Sequence, residues 1–412
     1  MKILEHFGRV LAALPKSANK LVLMLALSLA CSFAQISSAQ IFHLLHQFKS
    51  GRDGDNPYAS LIVDAQGNLY GTTMIDGAYG YGTVFKISPT GVETVLHSFT
   101  GTGGDGANPI APLIRDSAGN LYGTTEYGGL FGQCGSTGCG TVFKVDSAGK
   151  ETVLYRFTGI PGVDGMNPWQ GLVRDSAGNL YGTTLQGGIY SYGNTYGTVF
   201  KIDSAGKETV LHNFDPFDFP YDGGFPLGGS LLRDAAGNLY GTTNIGGFNG
   251  WGTVFKLDAS GTESVLYSFG GFQDGELPYG TLVQDSAGNL YGTTMLGGVF
   301  GGGIVFKLDA DNAETIIHNF PGTPGDGAPP GGGLMRDSAG NLYGTTNNGD
   351  RSLHGTVFKL DASGKETILH NFSGKDGDGP DLGLVRDSNG NLYGTTQYGG
   401  AFGGGVVFKV TP

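Results

Sequence analysis

Short apolar runs alternate with glycine-rich and acidic turns along almost the whole chain. In one stretch Gly171-Leu172-Val173-Arg174-Asp175 is apolar, Ser176-Ala177-Gly178-Asn179 turns, and Leu180-Tyr181-Gly182-Thr183-Thr184 runs back. A glycine-rich loop leads to Gly197-Thr198-Val199-Phe200-Lys201-Ile202-Asp203. A second tight turn, Ser204-Ala205-Gly206, leads to an apolar run ending at Phe214. Such segments, rich in Val, Thr, Phe and Tyr and bounded by Gly, Asp, Asn and Ser, predict four antiparallel strands, A to D, in one meander. The Asp-Ser-Ala-Gly pattern suits a tight hairpin with glycine in a left-handed conformation. Helical periodicity is absent after the first 39 residues.

The pattern repeats. Asn-Leu-Tyr-Gly-Thr-Thr occurs seven times, with its tyrosines at Tyr70, Tyr122, Tyr181, Tyr240, Tyr291, Tyr343 and Tyr393. A four-stranded unit of this length leaves both faces uncovered until neighbours stack on it, which is the logic of a propeller blade. Seven A-B-C sets are present, but the first D-type strand, 41–48, precedes any A strand, and the last unit stops after Gly405-Val406-Val407-Phe408-Lys409. Supplying the orphan strand to the incomplete unit closes a ring and removes its exposed edges. The expected fold is therefore all-β: one seven-bladed β-propeller of four-stranded antiparallel blades over residues 40–412, its last blade closed by the N-terminal strand.

Composition adds a compartment. Lys2, Arg9, Lys16 and Lys20 precede an apolar run at 21–30 and small residues ending Ser37-Ser38-Ala39, the order of a secretory signal peptide over residues 1–39. Cys31 leaves lipidation open as a lesser reading. The expected location is the periplasm, the cell surface or the medium, with no transmembrane segment in the mature chain and a monomeric state. Cys134 and Cys139, close and isolated in an exported chain, are expected to form a disulfide. A formal net charge of -12 argues against a nucleic-acid or anionic-membrane partner.

The units resemble the bacterial choice-of-anchor tandem repeats of GloVer-containing proteins, through Gly-Asn-Leu-Tyr-Gly-Thr-Thr, Gly-Thr-Val-Phe-Lys and Glu-Thr-Val-Leu-His. The likeness spans essentially the whole mature chain and implies an exported propeller. It supplies no catalytic residues, and no C-terminal anchor is evident here.

Whatever recurs in every unit reads as architecture. This covers the Asp-Gly-x-x-Pro turns beginning at Asp53, Asp105, Asp164, Asp222, Asp274, Asp326 and Asp376, read as turn chemistry rather than calcium sites. His46, His97, His212, His318 and His370 share a D-strand position with Tyr155 and Tyr267, hence a packing site with a polar tip. Arg115, Arg174, Arg233, Arg336 and Arg386 are expected to pair with neighbouring carboxylates. No metal and no cofactor is expected.

Function is expected where units differ. The B–C and D–A connections share one face of the disc and vary in length. Tyr127, Tyr190, Tyr192, Tyr196, Trp251, His354 and Tyr398 are the candidate contacts there, offering aromatic planes to a glycan or an extracellular protein. Nucleophile elbows, phosphate loops and His-rich metal spacings are missing. Glu126, Glu276 and His354 stand as weak catalytic candidates for the alternative, an extracellular polysaccharide hydrolase or lyase, which requires them to converge.

Overall fold

The hairpins form where the turn chemistry places them. In each A–B turn the aspartate carboxylate caps backbone N–H groups two and four residues on, as Asp64 does for Gln66 at 3.0 Å and Asn68 at 2.8 Å. Glycine takes the left-handed position, as at Gly178 with φ +91°. In the fifth C–D turn Asn312 stands there instead with φ +63°, the non-glycine residue that best tolerates it. The computed structural model describes residues 40–130, 134–189, 194–217, 221–322, 327–347, 354–380 and 383–412. The leader expected over residues 1–39 lies outside them.

Within the unit Phe42–Thr411, seven four-stranded antiparallel sheets follow the order A-B-C-D. The third, for example, is Val173–Arg174, Leu180–Thr184, Thr198–Ile202 and Glu208–Asn213. The seventh joins Val385–Arg386, Leu392–Thr396 and Val406–Thr411 to Ile41–Gln47. Phe48 N–H donates to the Gly405 carbonyl at 3.1 Å, as Phe214 does to Gly197 within the third blade at 3.0 Å. The ring is closed by its N-terminal strand.

One phenylalanine pair recurs at every junction between neighbouring blades. A D-strand phenylalanine meets the C-strand phenylalanine of the next blade edge to face at centroid distances of 5.0 to 5.4 Å: Phe48–Phe85, Phe99–Phe143, Phe157–Phe200, Phe214–Phe255, Phe269–Phe306, Phe320–Phe358 and Phe372–Phe408. Each pair contributes about 0.5–1.5 kcal/mol beyond its buried area. The motif glycine follows from the same packing. A Cβ on Gly182 would sit 2.7 Å from the tip of Phe200 and 2.9 Å from Leu172, so the C-strand ring folds over a residue with no side chain.

Two details depart from the strand reading. Most inner strands pair over only two residues, because their leading residues converge on the axis and bond to neighbouring blades. The exception is the fifth, Glu276–Gln284. On the variable face, Asp-Gly turns and B–C loops add short ladders, such as Gly165–Met166 with Gln186–Gly187.

Candidate functional site

The A–B turn aspartates are saturated by their own repeated neighbours. Asp175 accepts hydrogen bonds from Asn179 at 2.7 Å and the Tyr181 hydroxyl at 3.0 Å, and the same triad recurs in all seven blades. Burial pulls the Asp175 carboxyl up, but its donors outweigh that and hold it below the usual range. The arginines correct an expectation. Arg115, Arg174, Arg233 and Arg336 lie over tyrosine rings of the preceding blade, guanidinium carbon to centroid 5.4 to 5.7 Å, rather than recurring against carboxylates. The adjacent aspartate is already engaged by its own Asn and Tyr, so the planar cation takes the ring face. None of the five arginines lines the axis.

The shared His/Tyr position and the Asp-Gly turn prove to be one constellation. His212 Nε2 lies 2.9 Å from Asp222, His370 Nε2 3.0 Å from Asp376, and the Tyr155 hydroxyl 2.9 Å from Asp164. The first residue of the next blade's D strand joins them. His46, Asp53 and Glu93 converge at one junction, His97, Asp105 and Glu151 at the next. Burial and the adjacent Asp53 push the Glu93 carboxyl up to about 9. Burial, with Asp105 second, pushes Glu151 up to about 7. At the seventh blade Phe42 replaces the glutamate and stacks on His370 at 3.8 Å.

The variable-face candidates separate. Trp251 and Tyr398 are exposed, at 43% and 49%. Tyr127 is half-buried beside Glu126, which with burial pushes its phenol up to about 12. Tyr196 is only 6% exposed and packs on Phe217 and Phe225, which leaves it no contact surface. Tyr190 and Tyr192 lie outside the described residues. Cys134 and Cys139 form the disulfide.

The three carboxylate and histidine candidates are not brought together. Glu126 is buried in the second blade, its carboxyl raised by burial and partly relieved by a hydrogen bond to Tyr127. Glu276 lies on the fifth blade's inner strand. His354 Nδ1 sits 3.0 Å from Asp378. None of them lines the axial cavity.

That cavity holds about 330 Å³ and is walled by inner segments of all seven blades. The segments described from the turn proline onward enter from the variable face directly after it. The residue following that proline rims the mouth: Tyr58, Ile110, Trp169 and Tyr279. The Tyr58 and Tyr279 hydroxyls, from the first and fifth blades, approach to 3.4 Å across the opening. Deeper in stand Gln170, Ser60, Ser230 and Thr281 above Ile114 and Val173, and among the described residues the wall carries no charged side chain. The segments are held in place across blades: Thr124 donates to the Gln170 carbonyl and Thr395 to that of Ala59, both at 3.1 Å, and Gln170 Nε2 to the Leu227 carbonyl at 2.5 Å. These mouth residues are absent from the sequence-based candidates. Their signal was available, because the position after an otherwise constant proline varies between units, with only tyrosine used twice: Tyr58, Ile110, Trp169, Leu227, Tyr279, Gly331, Asp381.

Several solved structures share this architecture. The chain matches extracellular domains of two Bacteroides thetaiotaomicron proteins, BT3049, assigned as a hybrid two-component system, and BT4673, assigned as a one-component system. Identities are 17% and 11%, with a TM-score of 0.55 and 90% of this chain covered in both cases. It spans 41% and 40% of those chains, about two fifths of their length. A Bacteroides uniformis protein assigned as a 6-phosphogluconolactonase matches at 14% identity and a TM-score of 0.51, covering 82% of this chain and 93% of that one. No functionally curated protein matches. The Gloeobacter/Verrucomicrobia repeat profile matches residues 32–229, 131–351 and 226–412; the chain belongs to that repeat family.

Proposed function

We propose that this is an exported, non-catalytic binding propeller that takes a neutral sugar ring at the variable-face mouth of its axial cavity. The observation that carries the reading is the mouth itself. Tyr58, Trp169 and Tyr279 offer flat apolar faces with polar edges, and Gln170, Ser60 and Thr281 offer amide and hydroxyl groups just below them. Aromatic planes with hydroxyl and amide donors match the alternating apolar faces and hydroxyl edges of a sugar, and the described residues of the wall offer an ionic ligand no charged partner. The cavity is of the size that small ligands fill.

Export is supported by the basic-then-apolar leader pattern before Ala39 and by the disulfide. The extracellular placement of the two Bacteroides thetaiotaomicron domains is in keeping with it. Glu126, Glu276 and His354 lie on different blades and none of them lines the axial cavity, so they lend the hydrolase or lyase alternative no support.

A protein partner is the second reading. Phe248 at 72%, Phe272 at 71% and Trp251 at 43% exposure are large apolar side chains offered to solvent by the fourth blade's B–C loop and the D–A connection that follows it. A panel of neutral mono- and oligosaccharides, followed by titration calorimetry on Trp169→Ala, separates the two. Sugar binding lost with Trp169→Ala supports the mouth. Failure of the whole panel to bind wild-type protein counts against it.

A further inference from the structure

The blade junctions differ in one respect that packing does not require. Where the D-strand histidine is satisfied, its Nε2 touches the turn aspartate directly, at 2.9 Å in His212–Asp222 and 3.0 Å in His370–Asp376. At His46–Asp53 and His97–Asp105 the same atoms stand 3.4 and 3.7 Å apart. The Nε2 atoms of His46 and His97 are shut off from solvent there with no partner at close hydrogen-bond distance; Glu93 Oε1 and Glu151 Oε1 are likewise enclosed, as the matching oxygens of Glu208, Glu263 and Glu314 are at other junctions. Each junction therefore assembles one nitrogen and two carboxylates, with all ligand atoms within 4.8 Å of one another. Two carboxylates side by side in a half-buried seam need a positive charge or a proton between them.

We propose that the His46–Asp53–Glu93 and His97–Asp105–Glu151 junctions each bind a borderline divalent cation of the zinc class, bridging the outer strands of adjacent blades. The spacing fits. Bonds of about 2.0–2.2 Å in a tetrahedral arrangement set neighbouring donor atoms about 3.4 Å apart, longer than a hydrogen bond. Mixed imidazole and carboxylate donors suit zinc better than calcium, which takes oxygen ligands alone. Three protein donors leave a fourth position for water. The ligands are also oriented from behind. Asp105 is held by Thr100 N–H at 2.8 Å and Gly106 N–H at 2.7 Å, Asp53 by Lys49 N–H at 3.0 Å, and the His46 ring also engages the Gly91 backbone. The repeat supplies the contrast. Tyr155 and Tyr267 replace the imidazole elsewhere and bond their aspartates directly, at 2.9 and 2.8 Å.

Isothermal titration of chelator-stripped full chain with ZnCl₂, beside His46→Tyr, His97→Tyr and the double variant, tests this. Tyrosine is a substitution that the fold already accepts at the equivalent positions. Each single variant is expected to lose one equivalent of bound Zn²⁺ and the double variant two, with the metal-free melting temperature unchanged. Glu151→Gln, which keeps shape and packing, is expected to lose one equivalent as well. No Zn²⁺ uptake by wild-type protein, or equal uptake by wild type and double variant, overturns the proposal.

Discussion

The outer wall and the axial mouth are built on opposite rules. Around the wall one phenylalanine pair is repeated at every junction with almost the same geometry. At the mouth the residue after the turn proline changes from blade to blade, among Tyr58, Ile110, Trp169 and Tyr279. Positions stamped into every blade carry the load of closure, which any one blade cannot alter without opening the ring. Positions that differ from blade to blade, on an otherwise rotationally regular scaffold, are free to answer to a ligand.

The largest expected effect lies in the wall. Phe200→Ala removes a side chain with no exposed surface, and about 3–5 kcal/mol of unfolding free energy is expected to go with it in urea titrations. Phe48→Ala, at the seam between the chain ends, is expected to cost the same. A much smaller loss at Phe48 would mean that the seam is not equivalent to the other junctions.

A smaller effect is expected from Tyr181→Phe. It removes the hydroxyl that Asp175 accepts at 3.0 Å, at a cost of about 1 kcal/mol.

A pH effect is expected at the Tyr junctions. Burial and Asp164 raise Glu208, and burial and Asp274 raise Glu314, each to about 7. A carboxyl whose folded pKa lies above its unfolded value binds its proton more tightly in the native state. Its contribution is complete below the unfolded pKa of about 4.3 and is lost as pH rises toward 7. Stability measured across that window is expected to fall with rising pH, and Glu208→Gln is expected to flatten part of the fall. A slope that Glu208→Gln leaves unchanged would assign it elsewhere.

Much of the wall was legible in the chain. The orphan run ending at Phe48 and the missing D strand after Lys409 specified the closure before any coordinates, because a propeller edge must be paired. The Asp-Asn-Tyr triad was hidden in plain view. Its three residues are sequence neighbours, but only the strand pairing brings the Tyr hydroxyl back over the Asp. Tyr196 shows how the aromatic loops misled. Tyr81 and Trp251 hold the same place before Gly-Thr-Val-Phe and are exposed, at 42% and 43%, while Tyr196 is covered by Phe217 and Phe225 from the longer fourth D–A connection. Cover of this kind depends on a neighbouring blade. The same holds for Glu93 beside His46 and for Tyr58 opposite Tyr279: one is a cross-blade meeting, the other a meeting across the axis, and neither leaves a local periodic trace.

The contrast between wall and mouth comes down to Trp169→Ala, read twice on the same sample. Urea unfolding should change by less than about 1 kcal/mol, because the ring borders the axial cavity, is only partly buried and is no part of the Phe pairs, while affinity for the best-binding neutral sugar should fall at least about tenfold. A large loss of stability with sugar affinity intact would place Trp169 in the architecture and leave the mouth without a role.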